Sequence, residues 1–138
     1  ARQKAPRIQA ILDEVYEVYG EYSLEALADD DHNTAQSVLL GFPGVGPKTA
    51  AFVLMWALGK DVFPMDTHIF RILERVGLLD SAISAAKAHA AMQALIPAGE
   101  CFPAHMVMVE HGRKICTARN PTCTECNLND ICTFYSEL

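Results

Sequence analysis

The stretch GFPGVGPKTA, residues 41–50, decides the fold of this chain, because it breaks one helix and starts another within a few residues. Gly44 and Gly46 can adopt positive φ and expose backbone without side-chain obstruction, and Val45 between them can fill the gap between two helices. Pro47 suits the first position of a helix. The stretch therefore predicts a tight turn over 41–46, joining a helix over 34–40 to a helix over 47–58.

This turn has two interpretations. Its N–H groups would point outward beside the start of the second helix, where the macrodipole favours an anion, so backbone alone could bind a phosphate. Alternatively, the glycines serve only the steric needs of the turn. Lys48 favours the first interpretation, since a cation in a first turn opposes the dipole, and a lysine whose ammonium form is destabilised is a candidate nucleophile. A solvated lysine lying over Phe42 is the structural alternative.

Helical spacing of apolar residues dominates the rest of the chain, and no alternating strand pattern competes with it. Ser23 and Asn33 are predicted helix caps, and the helix over 47–58 is apolar on every side, which predicts a central place in the core. The fold class is therefore all-α. The other predicted helices cover 6–19, 24–28, 67–76, 82–95 and 103–115.

Asp66 precedes the helix over 67–76 at the position of an N-cap, which is the commonest role for an aspartate there. The connection from Leu58 to Asp66 is short, so the chain can also return this carboxylate towards Lys48. A carboxylate near an amine nucleophile could take its proton or stabilise a developing cation. His68 has no evident partner, and we expect it to be structural.

Composition predicts one globular domain, since the chain has 138 residues and 51% of them are hydrophobic. The net charge of −6 opposes nucleic-acid binding only superficially, because residues 1–31 carry most of the acidic excess. The longest apolar run, 50–58, is too short to span a membrane, and no signal peptide is evident. The first residue is Ala rather than Met, so we expect the chain to be trimmed from a longer one.

Four of the five cysteines form a C-x6-C-x2-C-x5-C pattern near the end of the chain: Cys116, Cys123, Cys126 and Cys132. Thiolates so closely spaced can hold either a tetrahedral zinc ion or a [4Fe-4S] cluster. Zinc ribbons usually present two C-x2-C pairs, whereas this pattern has one, and its wider spacing suits a bulkier cluster. Cys101 stands apart and is predicted to be a buried thiol.

Together, these features resemble the endonuclease III family of the helix-hairpin-helix DNA glycosylase superfamily. The resemblance rests on FPGVGPKTA, MDTHIFRILERVG, EHGRKICTARNPTC and the cysteine spacing, and it covers nearly the whole chain. It implies a helical domain over 1–100, containing the hairpin 41–46, and a C-terminal helix with an iron–sulfur loop over 101–138, in one compact unit. It also implies that the family's first helices are missing here, so we expect apolar faces to be uncovered and the chain to be unstable or to self-associate.

The resemblance implies a base-excision-repair DNA glycosylase with abasic-site lyase activity on damaged pyrimidines in duplex DNA. Lys48 would be the nucleophile and Asp66 the catalytic aspartate. A [4Fe-4S] cluster on the four cysteines would hold a DNA-contacting loop, TARNPT. No membrane or obligate protein partner is expected, and the location would be cytoplasmic and nucleoid-associated. The residues expected to bind DNA phosphates are Gly44, Val45, Gly46, Thr49 and Arg119.

Two departures from the family and two alternatives remain at this point. Pro47 stands where relatives often carry a base, which removes one phosphate contact, and Arg119 is the only base in its loop. The alternatives are a monofunctional mismatch or alkylated-base glycosylase of the same superfamily, and a non-catalytic DNA-binding or redox-sensing iron–sulfur module.

Overall fold

The computed structural model describes residues 4–80 and 82–138, and within them every regular element is a helix. This confirms the predicted all-α class. Along these described residues, seven α-helices and three short 3-10 helices follow one another. The α-helices are α1 (Lys4–Tyr19), α2 (His32–Gly41), α3 (Pro47–Trp56), α4 (Thr67–Val76), α5 (Ala85–Leu95), α6 (Cys101–Lys114) and α7 (Thr133–Ser136); the 3-10 helices are Glu25–Ala28, Cys123–Glu125 and Asn129–Ile131.

The chain forms two compact units, Ala1–Val62 and Phe63–Leu138. The predicted boundary at residue 100 stays a prediction. In the first unit, α2 packs against α3, and one face of α1 turns Ile11, Val15 and Tyr19 towards the same core. The buried residues of that core are Val15, Leu27, Ala35, Leu39, Phe42, Ala50, Ala51, Leu54, Leu58 and Val62.

The second unit is built on α4, which packs against α6 and α7. Its core joins the residues just before α4 to the inner faces of α4, α5 and α6. The buried members are Phe63, Met65, Ile69, Leu73, Leu79, Ala88, Met92, Cys101 and Val109. The predicted burial of Cys101 is confirmed, with 1% of its surface exposed.

The predicted ends of the first helix and of the helix over 67–76 agree with the observed ends of α1 and α4, and a glycine follows each of them. Gly20 and Gly77 have φ of +74° and +89° directly after α1 and α4, a conformation that glycine adopts without steric cost. The second predicted cap, Asn33, is wrong. Asp31 caps α2 instead, because its Oδ1 accepts the N–H groups of Asn33 at 2.9 Å and Thr34 at 3.1 Å.

The prediction that α3 is central to the core holds for one side only. Ala50, Ala51, Leu54 and Met55 are buried, whereas Trp56 is 53% exposed and α3 ends there instead of at Leu58. Exposed apolar side chains also recur along α1, at Ile8, Leu12 and Tyr16, so uncovered apolar faces are present as predicted. No helix among the described residues has the length and apolar character needed to cross a membrane.

Candidate functional site

The hairpin between α2 and α3 is a tight turn closed by a hydrogen bond from the N–H of Val45 to the carbonyl of Phe42, at 3.1 Å. Gly44 has φ of +79°, as predicted, but Gly46 has φ of −104°. The prediction for Gly46 is wrong because this residue is the N-cap of α3, a position that takes extended backbone. Val45 is partly buried against the core, as expected for a residue that fills the gap between the helices.

The start of α3 has no side-chain cap. The first N–H groups of a helix have no partner within the helix, and Pro47 has none to offer, so Lys48 and Thr49 present theirs outward from exposed positions. Donors at this end also lie at the positive end of the helix macrodipole. The arrangement is chemically suited to an oxyanion such as a phosphate.

Arg7 of α1 lies against this turn, a contact that the sequence did not predict. A Cβ placed on Gly44 would lie 2.9 Å from Cδ of Arg7 and 3.4 Å from its Nη1. The missing side chain of Gly44 therefore serves two needs, its positive φ and the close approach of Arg7. The guanidinium group brings a positive charge to a turn that has proline at position 47.

Lys48 occupies the first turn of α3 and its side chain is exposed. Its Nζ lies 5.9 Å from the centroid of the Phe52 ring, one helical turn ahead, near the outer limit of a cation–π contact. The structural alternative, in which Lys48 lies over Phe42, is wrong about the aromatic residue, because Phe42 is buried in the core. An exposed amine beside uncapped N–H groups is free to meet a bound phosphodiester chain.

Asp66 is the N-cap of α4, as predicted. Its Oδ1 accepts the N–H groups of His68 and Ile69, both at 2.9 Å, and its side chain is nearly buried. These bonds fix the carboxylate at the N-terminus of α4. Lys48 belongs to the first unit and Asp66 to the second, so their pairing stays a prediction.

His68 has a partner, contrary to expectation. Its Nδ1 lies 3.1 Å from Nη2 of Arg71, and that guanidinium also donates to the carbonyls of Gly112 at 2.8 Å and Cys116 at 2.9 Å. Arg71 thus ties α4 to the end of α6 and to the first of the patterned cysteines. The two bonds from Arg71 to backbone carbonyls follow no local spacing rule, because their acceptors lie about 40 positions away in sequence.

The four patterned cysteines all line one small cavity in the second unit. The remaining walls come from α4 and from residues that lie before, between and after the cysteines. They are Arg75, Ile115, Asn129, Phe134 and Tyr135. The thiols surround this space rather than meet at a point, and no three His, Cys, Asp or Glu side chains in the described part of the chain are arranged to hold one metal ion.

Arg75, in the last turn of α4, holds this segment in place. Its Nη1 donates to Sγ of Cys116 at 3.3 Å and to the carbonyl of Thr117 at 2.8 Å, and its guanidinium stacks on the Phe134 ring at 4.5 Å. Its own carbonyl accepts from Sγ of Cys132 at 3.2 Å. An arginine in the last turn of a helix is ordinarily explained by the helix dipole, so its contact with a thiol was not predicted.

The donor set fits an iron–sulfur cluster. Burial raises the pKa of the Cys123 thiol, the neighbouring Cys116 and Cys132 raise it further, and Arg75 opposes the change. Four thiolates around one cavity therefore repel one another, and a bound cationic group must compensate them if all are to be ionised. Iron supplies that charge, and soft thiolates are the ligands that hold iron–sulfur clusters.

The loop over residues 117–122, directly after Cys116, is short and is held by two hydrogen bonds. The N–H of Thr122 donates to the carbonyl of Ile115 at 3.1 Å, and Oγ1 of Thr117 donates to the carbonyl of Arg119 at 2.9 Å. Asn120 takes φ of +51°, which asparagine tolerates better than most residues. Arg119 is exposed in this loop, and its role in phosphate binding stays a prediction.

Comparison with known proteins identifies the segment around the cavity. Residues 116–132, from the first patterned cysteine to the last, match the iron–sulfur binding domain of endonuclease III. This match decides between zinc and iron, and the cofactor of the chain is a [4Fe-4S] cluster.

The whole chain has similar relatives. It is 37% identical to endonuclease III of Thermotoga maritima over 134 residues, covering 97% of this chain and 58% of the relative, and 33% identical to that of Escherichia coli K12 over 103 residues, covering 75% and 48%. It spans less than two thirds of either relative.

Two solved structures are also similar, a non-covalent endonuclease III–DNA complex and a trapped endonuclease III–DNA covalent intermediate. Each has a TM-score of 0.84 and 29% identity over 99% of this chain, which covers 59% and 60% of their chains. On these matches, the chain is similar over nearly its whole length to proteins of the endonuclease III family.

Proposed function

We propose that this chain acts in base-excision repair as a DNA glycosylase with abasic-site lyase activity on damaged pyrimidines in duplex DNA. The observation that carries the proposal is the position of Lys48, an exposed amine in the first turn of α3. The N-terminus of this helix has no side-chain cap and directly follows the hairpin turn. A similar solved structure is a covalent endonuclease III–DNA intermediate, which requires a protein nucleophile in that relative.

The hairpin is the proposed phosphate site. The N–H groups of Gly44, Gly46 and Thr49 donate to a DNA phosphate, and the two glycines keep this surface free of side chains. Val45 supports the site by closing the turn with its own N–H and packing against the core. Arg7, lying on Gly44, adds the cation that position 47 lacks. Arg119 contacts a second phosphate from its own loop. Because most of the acidic excess lies within residues 1–31, such local donors can bind DNA despite a net charge of −6.

In the proposed mechanism a damaged pyrimidine leaves the base stack, which costs least where damage has already weakened stacking. Lys48 Nζ attacks the sugar carbon that carries the base, and the carbon–base bond breaks. Asp66 stabilises the developing positive charge and helps to move protons. The sugar opens as a Schiff base with Lys48, and β-elimination cuts the strand on the 3′ side of the lesion.

Cys116, Cys123, Cys126 and Cys132 are the proposed ligands of the [4Fe-4S] cluster. When bound, the cluster compensates the charge of four thiolates and cross-links a segment that has little apolar core of its own. The consequence for DNA binding is that the loop carrying Arg119 is held in a fixed shape. DNA binding would also place the protein at the nucleoid.

Borohydride trapping on an abasic-site duplex tests this function. We expect the native protein to form a covalent complex and Lys48→Ala to form none. Lys87→Ala is the matched control, because Lys87 is also an exposed lysine in the first turn of a helix. Equal trapping by native protein and Lys48→Ala would exclude Lys48 as nucleophile.

A native protein that binds duplex DNA without any trapping would contradict the lyase activity. That result would favour one of two alternatives, a monofunctional mismatch or alkylated-base glycosylase or a non-catalytic DNA-binding or redox-sensing module. Release of a free base from a duplex with a single lesion distinguishes the two.

A further inference from the structure

The segment Phe63–Asp66, which leads into α4, is buried although it has no regular secondary structure. Phe63 is fully buried, and Met65 and Asp66 expose 2% and 8% of their surfaces. Buried backbone groups outside helices need partners from elsewhere, since an unpaired one costs about as much as a lost hydrogen bond. Two backbone groups at the start of this segment are paired with side chains from other helices.

Gln93 of α5 supplies the first bond. Its Oε1 accepts the N–H of Phe63 at 2.9 Å. Because the pairing joins positions 30 apart in sequence, it anchors the start of the segment to a different helix. The side-chain amide of Gln93 also donates to Sγ of Cys101, at 3.4 Å, so its orientation is fixed at both ends.

His105 of α6 supplies the second bond. Its Nδ1 lies 3.0 Å from the carbonyl oxygen of Pro64, and since a carbonyl can only accept, Nδ1 carries the proton. The ring is 2% exposed and meets Phe63 edge to face, with centroids 5.9 Å apart. His105 is thus a buried, hydrogen-bonded histidine that the proposed mechanism does not use.

We infer that His105 and Gln93 are positioning residues for Asp66. Together they hold the two residues that begin the segment, and Asp66 follows within it, so a shift of Pro64 carries the carboxylate with it. This inference rests on the proposed function of Asp66. Misplacement of a reacting group by about 1 Å can cost about 100-fold in rate, so a single backbone bond next to the carboxylate is sufficient to matter.

Paired variants test the inference on single-turnover cleavage of an abasic duplex. His105→Phe keeps a ring but loses the donor, and we expect cleavage to slow about 10- to 100-fold with unchanged affinity for DNA. His105→Asn should restore most of the rate, because its amide N–H lies near the place of Nδ1. Gln93→Met and Gln93→Glu form an equivalent pair for the other bond, losing and keeping the acceptor.

A double mutant separates positioning from general damage. Asp66→Asn keeps the helix cap but removes the carboxylate charge, and His105→Phe should slow it no further, because a residue that acts through Asp66 has no effect once Asp66 is disabled. Multiplied losses in the double mutant would overturn the inference alone. Native-like cleavage by Asp66→Asn would instead overturn the proposed function on which it rests.

Amide hydrogen exchange gives a readout that needs no activity. His105→Phe should speed exchange of the His68 and Ile69 N–H groups, which Asp66 caps, while leaving α1 amides of the first unit unchanged. His105→Asn should restore protection. Cap amides that stay as protected in His105→Phe and Gln93→Met as in the native protein would overturn the inference whatever the cleavage rates.

Discussion

Residues 41–46 of the hairpin include no basic side chain, and Arg7 of α1 brings a positive charge to this turn by lying against Gly44.

This contact can be tested by a substitution. We expect Arg7→Gln to weaken duplex DNA binding and to reduce the slope of log affinity against log salt by about 1, the change expected for one lost phosphate contact. Fluorescence anisotropy at several salt concentrations measures this slope. Lys4→Gln, one turn earlier on α1, is the matched control. Equal slopes for native protein and Arg7→Gln would exclude Arg7 from the phosphate site.

At the scale of residues, sequence reasoning worked where local chemistry decides. Asp66 caps α4 because an aspartate before a helix satisfies its first N–H groups whatever surrounds it. Arg7, Arg71, Arg75 and His105 were missed or given no role. Their partners are backbone carbonyls, thiols or a glycine surface from other elements, and these meet only after the chain has packed.

At the scale of elements, the packing of α4 against α6 depends on Gly112. A Cβ there would lie 2.7 Å from Cβ of His68. Alanine would gain about 1 kcal/mol in helix propensity. The cost of overpacking two helices is about 1–3 kcal/mol, so we expect Gly112→Ala to lower the free energy of unfolding by up to about 2 kcal/mol in urea titrations.

The control for this variant is Gly41→Ala, in the last turn of α2. A Cβ at Gly41 would meet nothing within 4 Å, so only the propensity gain remains, and stability should rise by up to about 1 kcal/mol. If both variants stabilise the protein, contact with His68 does not limit the approach of α6 to α4.

The cap of α2 gives a prediction with a pH dependence. Hydrogen bonds from Thr34 hold the pKa of Asp31 below its ordinary value of 3.8, so the unfolded chain binds this proton more readily than the folded one. The cap therefore stabilises the fold above about pH 4 and loses its effect as the pH falls further. Asp31→Ala should lower the urea midpoint at pH 7 and differ less from the native protein near pH 3.

Asn33→Ala is the informative comparison, because the sequence suggested Asn33 as the cap. It should leave the urea midpoint nearly unchanged at both pH values, since Asn33 lies inside α2 and contributes only its own N–H to Asp31. A loss for Asn33→Ala as large as that for Asp31→Ala would contradict the observed cap. Sequence reasoning erred here because both residues are good N-caps and lie two positions apart.

At the scale of the whole molecule, burial is unevenly distributed. The helices before Ile115 carry both hydrophobic cores, whereas no residue from 113 to 138 is buried in the structure. Composition could not predict this, because the C-terminal segment has an ordinary share of apolar residues, including Ile115, Leu128 and Ile131. Its cysteine pattern, however, did predict a zinc or iron–sulfur site in this segment.

This distribution predicts how the protein responds to loss of its cluster. The residues after Lys114 contact α4 through Arg71, Arg75 and the packing of α7, and the proposed cluster would cross-link them. A few hydrogen bonds and short turns without a buried core rarely maintain a fold alone. We expect removal of iron by ferricyanide and chelator to abolish hydrogen-exchange protection over 115–138, while α2 and α3 keep theirs. An Arg75→Met holoprotein should retain partial protection there, since the cluster remains. Protection of 115–138 that survives iron removal would show that contacts within the protein hold this segment without the cluster.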